Sequence, residues 1–218
     1  MEITDCGSAS PLLDHLLIPV GARLTIEVDL PNPPIKDHPP RFLDNLRNLP
    51  DFTTIELTGY DSEPQIQFSG PNGQVTMIPT TFWVDTTRFM IESLDQFDTS
   101  RTEQLTIDDG SPSSSDLLYR ALLPMKHLRT LALRRCASSD AFIRALHPNM
   151  SPSGVLICPE LEELAIVLNG MTLDMTSVIG VVVARASRGS KLKSIRIVDS
   201  EPVRANVLEQ LEKHVLHV

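Results

Sequence analysis

The 218-residue chain holds 28 acidic residues, six histidines and three cysteines, so spacing decides whether any of them does chemistry. His214 and His217 stand three apart, which on a helix would put two imidazoles on one face, as a metal site needs. At the very C-terminus they read instead as two exposed terminal histidines. Asp108-Asp109-Gly110 could begin a cation site, but the run lacks the further ligands of a calcium loop and reads as a polar turn. Cys136 beside a histidine would make a nucleophile pair, if the fold joined them. The chain has no G-x-S-x-G, no G-x-x-x-x-G-K, no dinucleotide fingerprint and no H-E-x-x-H. The expectation is therefore a non-enzymatic protein with no catalytic, metal or cofactor residues. The remaining charged candidates are basic: Arg129, Arg134, Arg135, Lys191, Lys193 and Arg196. They read first as a solvated face, and otherwise as contacts for an anionic partner.

The elements that carry these residues repeat. Leu128-Arg-Thr-Leu131-Ala-Leu133-Arg-Arg-Cys136 and Leu161-Glu-Glu-Leu164-Ala-Ile166-Val-Leu-Asn169 both read L-x-x-L-x-L-x-x-(C/N). This is the core pattern of a leucine-rich repeat: a strand with alternate residues turned inward, then a Cys or Asn where the chain leaves the sheet. Leu192-Lys-Ser-Ile195-Arg-Ile197 is a third copy, with Ser200 at the corner. Phe52-Thr-Thr-Ile55-Glu-Leu57, Leu105-Thr-Ile107 and the alternation of Leu24, Ile26 and Val28 are weaker copies. The marker residues run Met1, Ile26, Ile55, Leu105, Leu131, Leu164, Ile195. Most steps fall near the roughly 20–29 residues usual for such repeats. At Cys136 the repeat wants a buried residue, which leaves that thiol inert.

Between strands a second pattern recurs. Ser114-Ser-Asp-Leu-Leu-Tyr-Arg-Ala-Leu-Leu-Pro124 and Ser138-Ser-Asp-Ala-Phe-Ile-Arg-Ala-Leu-His-Pro148 share seven of eleven positions. Each has Ser and Asp suited to a helix start, an apolar stripe (Leu118, Ala121, Leu122; Phe142, Ala145, Leu146) and a proline stop. The expected fold is thus α/β: a right-handed solenoid with a curved parallel sheet on the concave side and helices on the convex side. One irregular repeat domain is expected over residues 1–218, with a hairpin and its connection inserted over 61–85.

The insertion is read from Ile66-Gln-Phe68 and Val75-Thr-Met77 flanking Gly70-Pro-Asn-Gly73, alternating strands around an Asn-Gly turn. Phe82-Trp83-Val84 and a short helix from Phe89 to Leu94 follow. The hairpin is expected to leave the regular array and offer a surface of its own. Met1-Glu-Ile3-Thr-Asp-Cys6 matches the second half of the strand motif, so the chain is expected to start inside a repeat, as the C-terminal part of a longer protein.

Composition bounds the partners. The sequence is 41% hydrophobic, and its longest apolar stretch, Val178 to Ala186, is interrupted by Gly180 and Arg185, so no membrane span is expected. Three cysteines, Cys6, Cys136 and Cys158, read as reduced thiols of a cytoplasmic or nuclear protein. The acceptor pattern Asn149-Met-Ser151 is followed by Pro152, which argues against its glycosylation. The net charge of −9 is uneven, with −12 over Met1 to Gly110 and +3 over the rest. A phosphate backbone rewards a basic surface, so nucleic acid is not expected as a partner.

The cysteine-containing motif Leu128 to Cys136 resembles the leucine-rich repeats of F-box proteins. The irregular repeats, the run Cys6 to Pro19 and Cys158-Pro-Glu-Leu-Glu-Glu-Leu164 are similar to the large family of mushroom-type fungal F-box proteins. The resemblance implies repeats that select substrates for a cullin-based ubiquitin ligase, whose adaptor binds an N-terminal F-box. No F-box is recognisable, so adaptor docking carries over to no residue here and would need a missing upstream module.

If the repeats form a solenoid, the outward strand positions make one continuous protein-binding surface. They are Gln104, Thr106 and Asp108 on one strand, then Thr130, Ala132 and Arg134, then Glu163, Ala165 and Val167, then Ser194, Arg196 and Val198. Arg134 and Arg196 are the preferred contacts, since guanidinium groups pair bidentately with carboxylate or phosphate. Two rivals remain: a leucine-rich scaffold unrelated to ubiquitin, such as an innate sensor or GTPase regulator, and an enzyme using the hairpin as a lid.

Overall fold

Apolar residues at every second strand position force a sheet with one wet and one dry face. The computed structural model describes residues 2–3, 21–28, 52–59, 64–71, 73–79, 90–91, 94, 97–108, 115–136, 139–150, 155–170, 172–198 and 205–217. Met1, Cys6 to Pro19, Phe82 to Val84, Phe89, Asp109, Gly110, Ser151, Pro152 and Ser200 lie outside the described residues. The strands are β1 (Glu2–Ile3), β2 (Ala22–Val28), β3 (Thr54–Thr58), β4 (Gln65–Gly70), β5 (Gly73–Pro79), β6 (Gln104–Asp108), β7 (Thr130–Arg134), β8 (Glu163–Val167) and β9 (Ser194–Val198). The helices are α1 (Ser115–Leu122), α2 (Ser139–Ala145), α3 (Met175–Ser187) and α4 (Ala205–His214).

All nine strands form one open sheet, ordered β1-β2-β5-β4-β3-β6-β7-β8-β9. Among the described residues only β4 runs against its neighbours; every other pairing there is parallel. Two apolar rows cross the sheet in register. One runs Leu24, Val75, Phe68, Ile55, Leu105, Leu131, Leu164, Ile195, and the other Ile26, Met77, Ile66, Leu57, Ile107, Leu133, Ile166, Ile197. Every member except Ile197 is buried. Burying one such side chain contributes about 1.5–3 kcal/mol, so these rows dominate the stability of the sheet. Leu131, Leu164 and Ile195, spaced by the motif, are neighbours on adjacent parallel strands.

The helices pack by the stripes expected of them. Leu118, Ala121 and Leu122 of α1 are buried, as are Phe142, Ala145 and the following Leu146. Their shared serines and aspartates act differently from simple caps. Ser139 Oγ donates to Cys136 O at 3.0 Å, and Asp140 Oδ1 accepts from the Asp174 amide at 3.0 Å, tying α2 to the start of α3. The cap of α3 is Asp174, which accepts from Thr176 N and from Ser177 Oγ. The Ser177 hydroxyl, then the Thr176 amide, hold the Asp174 carboxyl below its usual range.

Three expectations need correction. The hairpin does not leave the array: β4 pairs with β3, β5 pairs with β2, and the two strands fill the space between them. Backbone hydrogen bonding explains this, since an isolated two-stranded ribbon is marginal whereas a ribbon paired on both sides satisfies every ladder. Ile26 and Ile55 are accordingly not neighbours, while Ile55 and Leu105, 50 residues apart in sequence, are. Third, Ile3 and not Met1 stands beside Ile26, two residues from the expected register. Periodicity of two cannot distinguish such a shift, because both registers turn the same side chains inward.

The corners also diverge. Cys136 and Asn169 share a motif position but not a role. After β7 the turn falls at Arg135 (φ 52°), and Cys136 is buried with Sγ donating to Ile107 O at 3.5 Å and to Arg134 O at 3.4 Å. After β8 Leu168 is buried, and exposed Asn169 takes the left-handed conformation (φ 47°), which Asn tolerates better than most residues.

Arg185 is the residue whose place was least legible. It interrupts an apolar run in sequence, yet it continues the buried stripe Val178, Val181, Val182 of α3 and is fully buried itself. Its Nη1 donates to Ile157 O at 3.0 Å and its Nη2 to Cys158 O at 2.6 Å and Ser190 Oγ at 3.0 Å. The guanidinium thereby holds the backbone that leads into β8. Burial pulls it below the ordinary arginine value and pushes the adjacent Cys158 thiol up to about 12.

Candidate functional site

The face opposite the apolar rows is where the fold collects its polar side chains. Three outward rows cross the parallel strands β3, β6, β7, β8 and β9 in register. The first is Thr54, Gln104, Thr130, Glu163, Ser194. The second is Glu56, Thr106, Ala132, Ala165, Arg196. The third is Thr58, Asp108, Arg134, Val167, Val198. All the outward positions expected from the motif thus lie on this face, and the structure brings them together. Buried and accessible residues alternate along β3, β6 and β8, whereas in β7 the outward Ala132 is buried as well.

The middle row carries a charge gradient, from Glu56 through Thr106, Ala132 and Ala165 to Arg196. Small side chains stand at the centre, where Ala132 is buried and Ala165 is half-buried, with charge held at either end. Arg134 and Arg196 are both exposed and form no ion pair among the described residues. They stand two strands and two residues apart, about 12 Å between Cα atoms at ordinary sheet spacing. An extended segment could bring two anionic groups to that separation.

Most of the other basic residues are already engaged. Arg135 Nε pairs with Asp108 Oδ1 at 2.8 Å, Lys193 with Glu162 at 2.7 Å, and Arg129 with Glu160 at 3.9 Å. Asp108, half-buried and held by Arg135, is therefore the least available of the expected contacts. Sequence reading missed the Arg135 pairing, which spans 27 residues and carries no local signal. It also passed over Thr54, Glu56 and Thr58, although the alternation in Phe52-Thr-Thr-Ile55-Glu-Leu57 marks them by the same rule as the rest.

The candidates for chemistry disperse. The two terminal histidines do not share a helical face: α4 ends at His214, while His217 bridges Ser194 as a strand residue. No group of three or more His, Cys, Asp or Glu suited to a metal ion exists among the described residues. Beneath the hairpin lies an apolar, aromatic layer, in which Phe68 packs on Phe52 at 5.1 Å and on Phe97 at 4.1 Å. A pocket elsewhere, lined by Arg144, His147, Thr176 and Gly180, is mostly apolar, and its His147 Nδ1 accepts from the Asn149 amide. No helix among the described residues is long and apolar enough to cross a membrane. No protein-family model matches the chain, and neither a curated protein nor a solved structure does.

Proposed function

We propose that this chain is a non-enzymatic protein-interaction domain, built as an irregular leucine-rich solenoid whose outward strand face is concave and receives a protein partner. The single observation that carries the reading is that Arg134 and Arg196, both exposed, form no ion pair among the described residues, on the outward strand face whose middle row holds the small residues Ala132 and Ala165. Exposed arginines flanking small residues suit recognition of a segment by charge register around a modest apolar centre. The partner class is a protein segment with carboxylates or phosphates placed to meet both guanidinium groups. The resemblance of the repeats to those of F-box proteins makes substrate selection for a ubiquitin ligase the leading context, in the cytoplasm or nucleus. A leucine-rich scaffold without a ligase role is the second reading, favoured by the same face.

The test compares quantitative captures on the parent chain, on Arg134→Glu with Arg196→Glu, and on Lys213→Glu as a control in the exposed α4 pair with Glu209. Proteins retained by the parent and control but lost by the double variant are the expected result. Identical sets from all three would remove the face from consideration. Co-purification of a ligase adaptor with a reading frame extended upstream of Met1 separates the two contexts.

A further inference from the structure

The strands β6, β7, β8 and β9 each open in one way: two successive amides donate to a single carbonyl of the neighbouring strand. Glu103 and Gln104 donate to Thr53 O, Arg129 and Thr130 to Glu103 O, Glu162 and Glu163 to Arg129 O, Lys193 and Ser194 to Glu162 O. The series does not stop at β9. The His217 amide donates to Lys193 O at 2.9 Å, Ile195 N donates to His217 O at 3.0 Å, and His217 bridges Ser194 in parallel. His217 therefore holds the register position of Ser194, Glu163, Thr130 and Gln104. Val215, two residues before it, is buried as are Leu192, Leu161 and Leu128 at the same step. A tenth strand is begun on the outer edge of β9.

Beyond that first rung no described residue pairs with the outer edge of β9. In a parallel pair alternate residues bond to one neighbour. Ser194, Arg196 and Val198 turn their backbone groups to β8, as the bond from Leu168 N to Val198 O shows. Ile195 O and both backbone groups of Ile197 then face outward, with no partner among the described residues. The apolar row is less deeply buried at the same place. Ile197 is half-buried, whereas Ile107, Leu133 and Ile166 in its row are buried, and nearby Leu216 is 63% exposed. On the other face of β9 stands Arg196, exposed and in no ion pair among the described residues.

We propose that this edge is a strand-addition site, taking an extended segment of a partner protein, parallel to β9, with an acidic residue opposite Arg196 and an apolar one next to it beside Ile197. Free ladder groups supply the affinity of such an addition, and the alternating side chains its specificity. A second copy of this chain fits poorly, because antiparallel pairing of two β9 edges sets Arg196 near its own counterpart, and like charges across strands destabilise. The site adjoins the outward face and shares Arg196 with it, but adds the backbone of Ile195 and Ile197.

The probes are short blocked peptides: one alternating valine with glutamate, one alternating valine with lysine, and the glutamate peptide N-methylated on one edge. Binding to the full chain is followed by fluorescence anisotropy and by amide NMR shifts. The glutamate peptide should bind saturably and shift Ile195, Ile197 and His217. The lysine and N-methylated peptides should bind at least tenfold more weakly, and Arg196→Glu should invert the preference between glutamate and lysine. Absence of binding, equal binding of the N-methylated peptide, or shifts centred on Thr106 and Ala132 would overturn the edge site. Self-association of the chain through β9 without peptide would overturn the assignment of a foreign strand. Arg196 serves both surfaces, whereas Arg134 on β7 serves the face only, so loss of captured proteins on Arg134→Glu alone bears on the face and the two readings fail separately.

Discussion

Arg185→Met keeps the apolar stem and most of the volume of the side chain while deleting its guanidinium. The carbonyls of Ile157 and Cys158 lose donors at 3.0 and 2.6 Å, and Ser190 Oγ loses one at 3.0 Å. Hydrogen bonds to a charged group contribute about 1.5–3 kcal/mol each, so the two buried carbonyls alone represent roughly 3–6 kcal/mol. Against this stands relief of a buried cation that has no carboxylate partner among the described residues and whose Nε has no acceptor there. Removing such a charge returns on the order of 1–3 kcal/mol. The carbonyls win, because methionine offers no donor and their backbone lies under the last turn of α3. The net expectation is a loss of about 2–4 kcal/mol, or roughly 5–12 °C in Tm for a chain of this size. Urea unfolding followed by far-ultraviolet circular dichroism measures it. A thiol reagent supplies a local readout, since Cys158 becomes faster to label when its backbone is released. Arg185→Met equal to or more stable than the parent would show that desolvation outweighs the carbonyl bonds, and the tethering role would fall.

Two further outcomes follow from the same packing. The unfolded Cys158 thiol ionises near 9.0, and burial raises it to about 12 in the fold, so the folded chain holds that proton more tightly. Its contribution is fully present below pH 9 and is lost as pH rises towards 12, at about 1.4 kcal/mol per pH unit. Cys158→Ala should flatten the decline in stability between pH 9 and 10.5 relative to the parent, and equal slopes would contradict the assignment. Leu164→Ala, in the middle of a buried row, should cost about 2–5 kcal/mol by opening a cavity between Leu131 and Ile195. Ala165→Ser, one residue on and facing out, should stay within about 0.5 kcal/mol of the parent by chemical denaturation. Similar losses for both would mean that the two faces of β8 are misassigned.

Sequence alone determined which side chains turn inward. The alternation in Leu128 to Leu133, Leu161 to Ile166 and Leu192 to Ile197 requires only that one strand face be dry, a local condition written in period two. For the same reason the helix stripes of α1 and α2, the Asn-Gly hairpin and the outward rows through Arg134 and Arg196 were readable. Register along the chain was not. Whether Met1 or Ile3 stands beside Ile26, and whether the hairpin flanks β3 or leaves the sheet, depends on which backbone groups find partners, and every candidate pairing has the same periodicity. Tertiary structure alone paired Arg135 with Asp108, leaving Arg134 beside it without a counter-ion among the described residues. It also buried Arg185 among valines, which hydropathy would place at the surface, because the carbonyls that satisfy the cation are 27 and 28 residues away. It set His217 on the edge of β9, where three closing residues of sequence resemble nothing until the ladder they extend is seen. Inward and outward are local properties of a strand; partners across the sheet are not, and the chemistry of this face and its edge is made of partners.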